Sequence, residues 1–135
     1  MVLEDKFQYD LFVICPVRNA KPEEKEFLEK YVSHKEAEGF HVYLPHRDTN
    51  QDDAVGLRIC EDNRRAIHNS AKIGVYWNPE SQGSLFDLGM SFMVALMHDK
   101  PIYLINRDDI ESTPHKSFQN VLLALDDKYR KREKR

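Results

Sequence analysis

Leu11-Phe-Val-Ile-Cys15 is apolar at every position and stops at Pro16. A strand with one wet face alternates apolar and polar side chains, whereas an unbroken apolar run belongs to a strand covered on both faces, the usual condition of a parallel sheet. That requirement sets the terms for the rest of the chain, because parallel neighbours need crossover helices between them. The chain supplies them. Pro22, acids at 23, 24 and 26, apolar residues at 27, 28, 31 and 32, and the terminator Gly39 predict an amphipathic helix. Phe40-His-Val-Tyr-Leu44 follows as a strand stopped by Pro45, and residues 45–56 read as a long polar loop. A helix over 57–69, a strand over 72–77, a helix over 84–98, a strand over 101–105 and a helix over 117–130 complete the alternation.

The expected fold is therefore α/β: one three-layer domain spanning residues 1–135, with a parallel, flavodoxin- or Rossmann-like sheet of four or five strands. With 135 residues, 41% of them apolar, the chain is large enough for one real core. In sheets of this kind ligands bind beyond the carboxyl ends of the strands, where strand order reverses. For the order 2-1-3-4 that crevice lies between the ends of the first and third strands, lined by 16–19 and 78–87, with the loop after Pro45 beside them.

Twenty basic against 23 acidic residues leave a net charge of −3, which supplies no field that selects nucleic acid. The basic end, 126–135, reads as a solvated helix tail that frays. No apolar run approaches membrane length and the start has no signal-peptide pattern, so a cytoplasmic protein without a membrane partner is expected. Cys15 and Cys60 lack metal-ligand spacing and read as reduced packing residues, and no metal or organic cofactor is expected.

The crevice segments carry the chemistry. Around Ser81-Gln-Gly83-Ser84 a strand gives way to a helix, whose free N–H groups and positive dipole end suit a phosphate or a sugar hydroxyl. Asp87, one turn on, would face the same pocket. The structural alternative is a capping box, with Ser84 as cap and Asp87 as its reciprocal partner. Arg18, followed by Asn19, is the natural countercharge for an anion at this turn. Arg47 and Asp48 either contact sugar or base, or pair with each other. His46 is the one histidine placed to move a proton, although it has no evident partner. On the helix 57–69, Asn63 lies between Ile59, Ala66 and Ile67 and should point inward, with Glu61 and Asp62 outward.

Over roughly residues 10–106 the chain resembles the nucleoside 2-deoxyribosyltransferase family and the related nucleoside 5′-monophosphate N-glycosidases. The specific part is Asn78-Pro-Glu-Ser-Gln-Gly-Ser-Leu-Phe-Asp-Leu-Gly89 ahead of Lys100-Pro-Ile. The resemblance implies that Asp87 attacks the anomeric carbon, that Ser81, Gly83 and Ser84 cradle the phosphate or sugar hydroxyl, and that Arg18 holds the anion of a nucleoside or nucleotide. It also implies a homo-oligomer, dimer or larger, meeting through the helices that contain Asn63 and Phe92. Met90, Phe92, Met93, Leu96 and Met97 exceed what one buried stripe needs, which fits either that interface or a helix enclosed by its own domain.

Three positions depart from the family pattern. Asp87 stands for a glutamate one methylene longer, Phe12 for a tyrosine that orients the nucleophile, and Asn63 for an aspartate that protonates the leaving base. An amide donates a hydrogen bond but no proton, so the acid would come from Asp48, His46 or Asp62. The alternative expectation is a nucleotide-binding module that keeps the site and has lost turnover. A phosphoryl-receiver domain is disfavoured, because Cys15-Pro-Val-Arg18 brings no acidic pair.

Overall fold

The computed structural model describes residues 7–133. Four parallel strands, β1 (Tyr9–Ile14), β2 (Val42–Tyr43), β3 (Ser70–Val75) and β4 (Ile102–Leu104), form one sheet in the order β2-β1-β3-β4. Leu11 sits opposite Val42 on one side and Lys72 on the other, and Val75 opposite Leu104. The helices are α1 (Pro22–Ala37), α2 (Pro45–Asp48), α3 (Leu57–His68), α4 (Gln82–His98) and α5 (Phe118–Glu133).

Strand alternation sorts the core into two layers. Phe12 and Ile14 of β1, with Tyr43, Ile73, Val75, Ile102 and Leu104, face Ala66 and Ile67 of α3, Leu88 and Ala95 of α4, and Leu122 and Tyr129 of α5. Leu11, Val13 and Cys15, with Val42 and Leu44, face Leu28 and Val32 of α1. The unbroken apolar run of β1 thus fills both layers. Each fully buried aliphatic side chain contributes roughly 1.5–3 kcal/mol.

Several boundaries differ from expectation for local reasons. The segment after Pro45 opens with the single turn α2, because Pro45 is preset for a first helical position and Asp48 Oδ2 accepts the Leu44 N–H at 2.9 Å. The remainder of that loop is tied down as well. Asp53 accepts the N–H groups of Arg58 and Ile59 and so caps α3, while the Arg58 guanidinium reaches back to Asn50 O and forward to Asp62. β3 begins at Ser70, two residues earlier than the apolar pattern suggests, since Ser70 Oγ donates to Ala66 O and the strand leaves α3 almost without a loop. The basic end is helical over its described part. α5 continues to Glu133, where Arg130 pairs with the fully buried Asp126, Arg132 pairs with Asp99, and Tyr103 OH binds Glu133; residues 134–135 lie outside the described residues. Gly39 ends α1 at φ +100°, the left-handed conformation that favours glycine at this position.

Candidate active site

Beyond the carboxyl end of β3 the backbone is held by side chains. Asn106, itself buried, accepts the Trp77 N–H at 2.8 Å through Oδ1 and donates to Trp77 O at 3.0 Å through Nδ2, extending the ladder to two residues past the strand. Asn78 Nδ2 donates to Glu24 Oε2 at the start of α1, and Asn78 Oδ1 accepts the Glu80 N–H. This pins the turn that delivers Ser81. Ser81 is the N-cap of α4: its Oγ accepts the Ser84 N–H at 3.2 Å and bonds Ser84 Oγ at 2.8 Å. Gly83 is exposed with open space around its Cα, whereas the Ser84 side chain is fully buried.

The capping-box alternative is thereby corrected. Ser81, not Ser84, caps the helix, and Asp87 takes no part in capping. The inward stripe of α4 instead reads Ser84, Asp87, Leu88, Ser91 and Ala95, with polar side chains at three of its five positions. Asp87 is 7% exposed and its carboxylate accepts no hydrogen bond and meets no cation among the described residues. Burial alone pushes its pKa up from 3.8 to about 7. Its charge reaches two thiols. Cys15, at the end of β1, is raised to about 12 by burial first and then by Asp87 and Glu24, and Cys60 of α3 is raised by burial and then by Asp87. α4, the helix that carries the carboxylate, packs against both β1 and α3. An unpaired buried carboxylate costs several kcal/mol in folding, and Ser91 Oγ, one turn further along, is also sealed from solvent without a partner.

On α3, Asn63 is buried, three residues after Cys60. Its Oδ1 accepts from Thr49 Oγ1 at 2.7 Å, and Thr49 Oγ1 lies 2.5 Å from Tyr43 OH, whose ring stacks on Phe12 at 5.4 Å. Arg18 and Asn19 occupy the exposed turn after β1, and the Arg18 guanidinium pairs with no described carboxylate. Ser81, Ser84 and Asp87 lie at the start of α4 after β3, the Arg18 turn follows β1, and Asn63 lies on α3, each on the element expected to carry it, with no hydrogen bond or ion pair among the described residues joining Asn63 or Arg18 to Asp87.

Arg47 and Asp48 do not join them. Arg47 pairs with Asp48 at 2.8 Å and with Glu36 at 3.0 Å, and donates to Val42 O. These two residues border a broad groove along the outer edge of β2, lined also by Tyr9, Phe40 and His41, which includes neither Asp87 nor the Ser81 turn. A groove's size is a poorer guide here than the unpaired buried carboxylate. His46 faces Glu29 of α1 at 3.9 Å, burial lowers its pKa, and its Nδ1 is sealed without a partner. Asp62 pairs with Arg58 and Arg65. Among the described residues no group of three or more His, Cys, Asp or Glu side chains is placed to hold a metal ion.

Sequence reasoning missed Thr49, Tyr43, Ser91 and Asn106. Ser91 was findable, since it follows Ser84 by seven residues and Asp87 by four on one helical face. A threonine inside a polar loop carries no sign of burial, and Asn106 acts through a turn that periodicity does not encode. No protein-family model matches this chain, and no curated protein does.

Proposed function

We propose that this protein cleaves or exchanges the N-glycosidic bond of a nucleoside or nucleotide, in the manner of the nucleoside 2-deoxyribosyltransferases, with Asp87 as nucleophile. The observation that carries the reading is the Asp87 carboxylate: buried, unpaired, raised to about 7, and set beside a helix start at the carboxyl edge of the sheet. Catalytic groups are held in such costly environments, whereas a structural carboxylate would be paired.

In this mechanism the carboxylate attacks the anomeric carbon while the bond to the base breaks, its electron pair passing to the base nitrogen, which gains a proton from an acid or water. The free base departs at this step. A second base, or water, then attacks the anomeric carbon, the bond to the aspartyl oxygen breaks to restore the carboxylate, the acceptor's proton passes to solvent or a nearby base, and the new nucleoside or the free sugar leaves. Oxocarbenium character in the transition state draws Asp87 towards ionisation, offsetting the burial that protonates it at rest. The free N–H groups around Gly83 and Arg18, which pairs with no described carboxylate, would hold a 5′-phosphate or a sugar hydroxyl. The setting proposed is cytoplasmic. A second copy of the chain is proposed to cover α4, whose outer face exposes Phe92, Met93, Leu96 and Met97.

One observation favours the nucleotide-binding module instead: Asn63 offers an amide where the leaving base needs a proton, and Asp48 is occupied by Arg47 and the Leu44 N–H. The test is incubation with ribo- and deoxyribonucleosides and their 5′-monophosphates, with and without a second free base, followed by chromatography. Base release or exchange that rises with pH through about 7 and disappears in Asp87→Ala is the expected result. Monophosphates that raise the melting temperature without any turnover would replace the enzyme by the binding module.

A further inference from the structure

Asn63 Oδ1, Thr49 Oγ1 and Tyr43 OH form a chain of three buried side chains, with separations of 2.7 and 2.5 Å. A hydroxyl has one proton to give. If Thr49 gave its proton to Tyr43, the phenolic proton would be left buried without an acceptor, because Tyr43 OH has no other described partner. The direction that leaves no hydroxyl proton unpaired runs from Tyr43 OH to Thr49 Oγ1 and from Thr49 Oγ1 to Asn63 Oδ1. This fixes the Asn63 amide. Its acceptor is occupied, and its Nδ2 donates to no described residue. Nor is Nδ2 among the unpartnered polar atoms sealed from solvent, which are His46 Nδ1, Trp77 Nε1 and Ser91 Oγ. Asn63 lies on α3, which packs against α4, the helix that carries Asp87, so the donor not engaged by a described residue belongs to a helix that borders the Asp87 side chain's own helix.

We infer that Tyr43 and Thr49 are positioning residues that hold Asn63 as a hydrogen-bond donor, so that the site selects ligands presenting a hydrogen-bond acceptor, a ring nitrogen or carbonyl oxygen of a base, at that point. The inference rests on the glycosidic reading of the site. It states what replaces proton donation there: the amide stabilises the departing base by a hydrogen bond and the proton comes from elsewhere.

Two measurements test it separately from that reading. In ligand-free, ¹⁵N-labelled protein, both Asn63 side-chain amide protons are expected to exchange rapidly with solvent; one protected proton would mean that the amide donates to Thr49, and would overturn the inference. The second is affinity for the four common 2′-deoxyribonucleoside 5′-monophosphates. Thr49→Val is expected to weaken the best of them roughly three- to tenfold, the loss of one neutral hydrogen bond, and Thr49→Ser to restore it. In Asn63→Asp the affinity is expected to fall as pH rises and the new carboxyl ionises, a step absent from the parent. Unchanged affinity in Thr49→Val, or a pH-independent Asn63→Asp, overturns the inference while leaving the glycosidic reading standing. If neither these monophosphates nor the corresponding nucleosides bind the parent, the glycosidic reading fails, and the amide exchange still decides the direction of the chain.

Discussion

Asp87 is a residue whose worth to folding and to function have opposite signs. Its pKa is 3.8 in an unfolded chain and about 7 in the fold. Between those values the folded protein binds a proton that the unfolded chain has released. Folding stability is therefore fully present below about pH 4, declines as pH rises towards 7, and is flat above it, the loss amounting to at most about 4 kcal/mol. Asp87→Asn removes the ionisation and keeps the volume. Urea denaturation should find the variant more stable than the parent by roughly 1–3 kcal/mol at pH 8 and nearly equal at pH 4. A parent–variant difference independent of pH would mean that the carboxyl has a partner or reaches water freely. A substitution that stabilises the fold and abolishes turnover is what a catalytic carboxylate predicts, because function is what retains the strain. The identity and placement of Asp87 were readable from its position after Ser-x-Gly-Ser. Its isolation was not, since a carboxylate three residues past a serine is also how a capping box is written, and only the Ser81 side chain decides which serine caps.

At the scale of elements, the strand ends matter more than the strands. β1 and β3 were legible because an apolar run has one interpretation in an α/β chain, and β4 because Pro101 and the apolar triplet bracket it. The connections were harder. The segment 49–56 is polar in composition yet closed by Asp53 and Arg58 into a fixed cap on α3, and polarity alone does not separate a ligand-binding loop from one satisfied by its own side chains. Asn106 shows the reverse case: a single side chain beyond β4 holds the backbone of Trp77 in both directions and so aims the turn that carries Ser81. Asn106→Ala leaves a buried N–H and a buried C=O without partners. The expected cost is about 2–4 kcal/mol by chemical denaturation, with hydrogen exchange accelerating over 77–84 while the core of β1 stays protected. Equal acceleration across β1 would show that Asn106 supports the sheet as a whole and not the site.

For the whole molecule, the uneven distribution of helices has a consequence for assembly. One face of the sheet is covered by α1 and the other by α3 and α4, with α5 packed along β4, yet α4 buries only one of its two apolar stripes. Leu96 is 81% exposed and Met97 66%, with Leu85, Phe86, Phe92 and Met93 continuing the surface. Among the described residues α4 is therefore not enclosed by its own domain, and an exposed apolar face of this kind is where a contact with another molecule is expected. Because Asp87 and Ser84 lie on the opposite side of the same helix, a second copy docked on α4 would stiffen the element that carries the nucleophile without covering it. Isologous pairing would place two such helices face to face. Light scattering behind size exclusion should find the parent as a dimer or larger and Met93→Lys combined with Leu96→Lys as a folded monomer of unchanged circular dichroism. The charges replace side chains already in water, so the fold itself stands to lose little. If the parent elutes as a monomer at tens of micromolar, the α4 face does not join copies of this chain, and self-association plays no part in holding Asp87 in place.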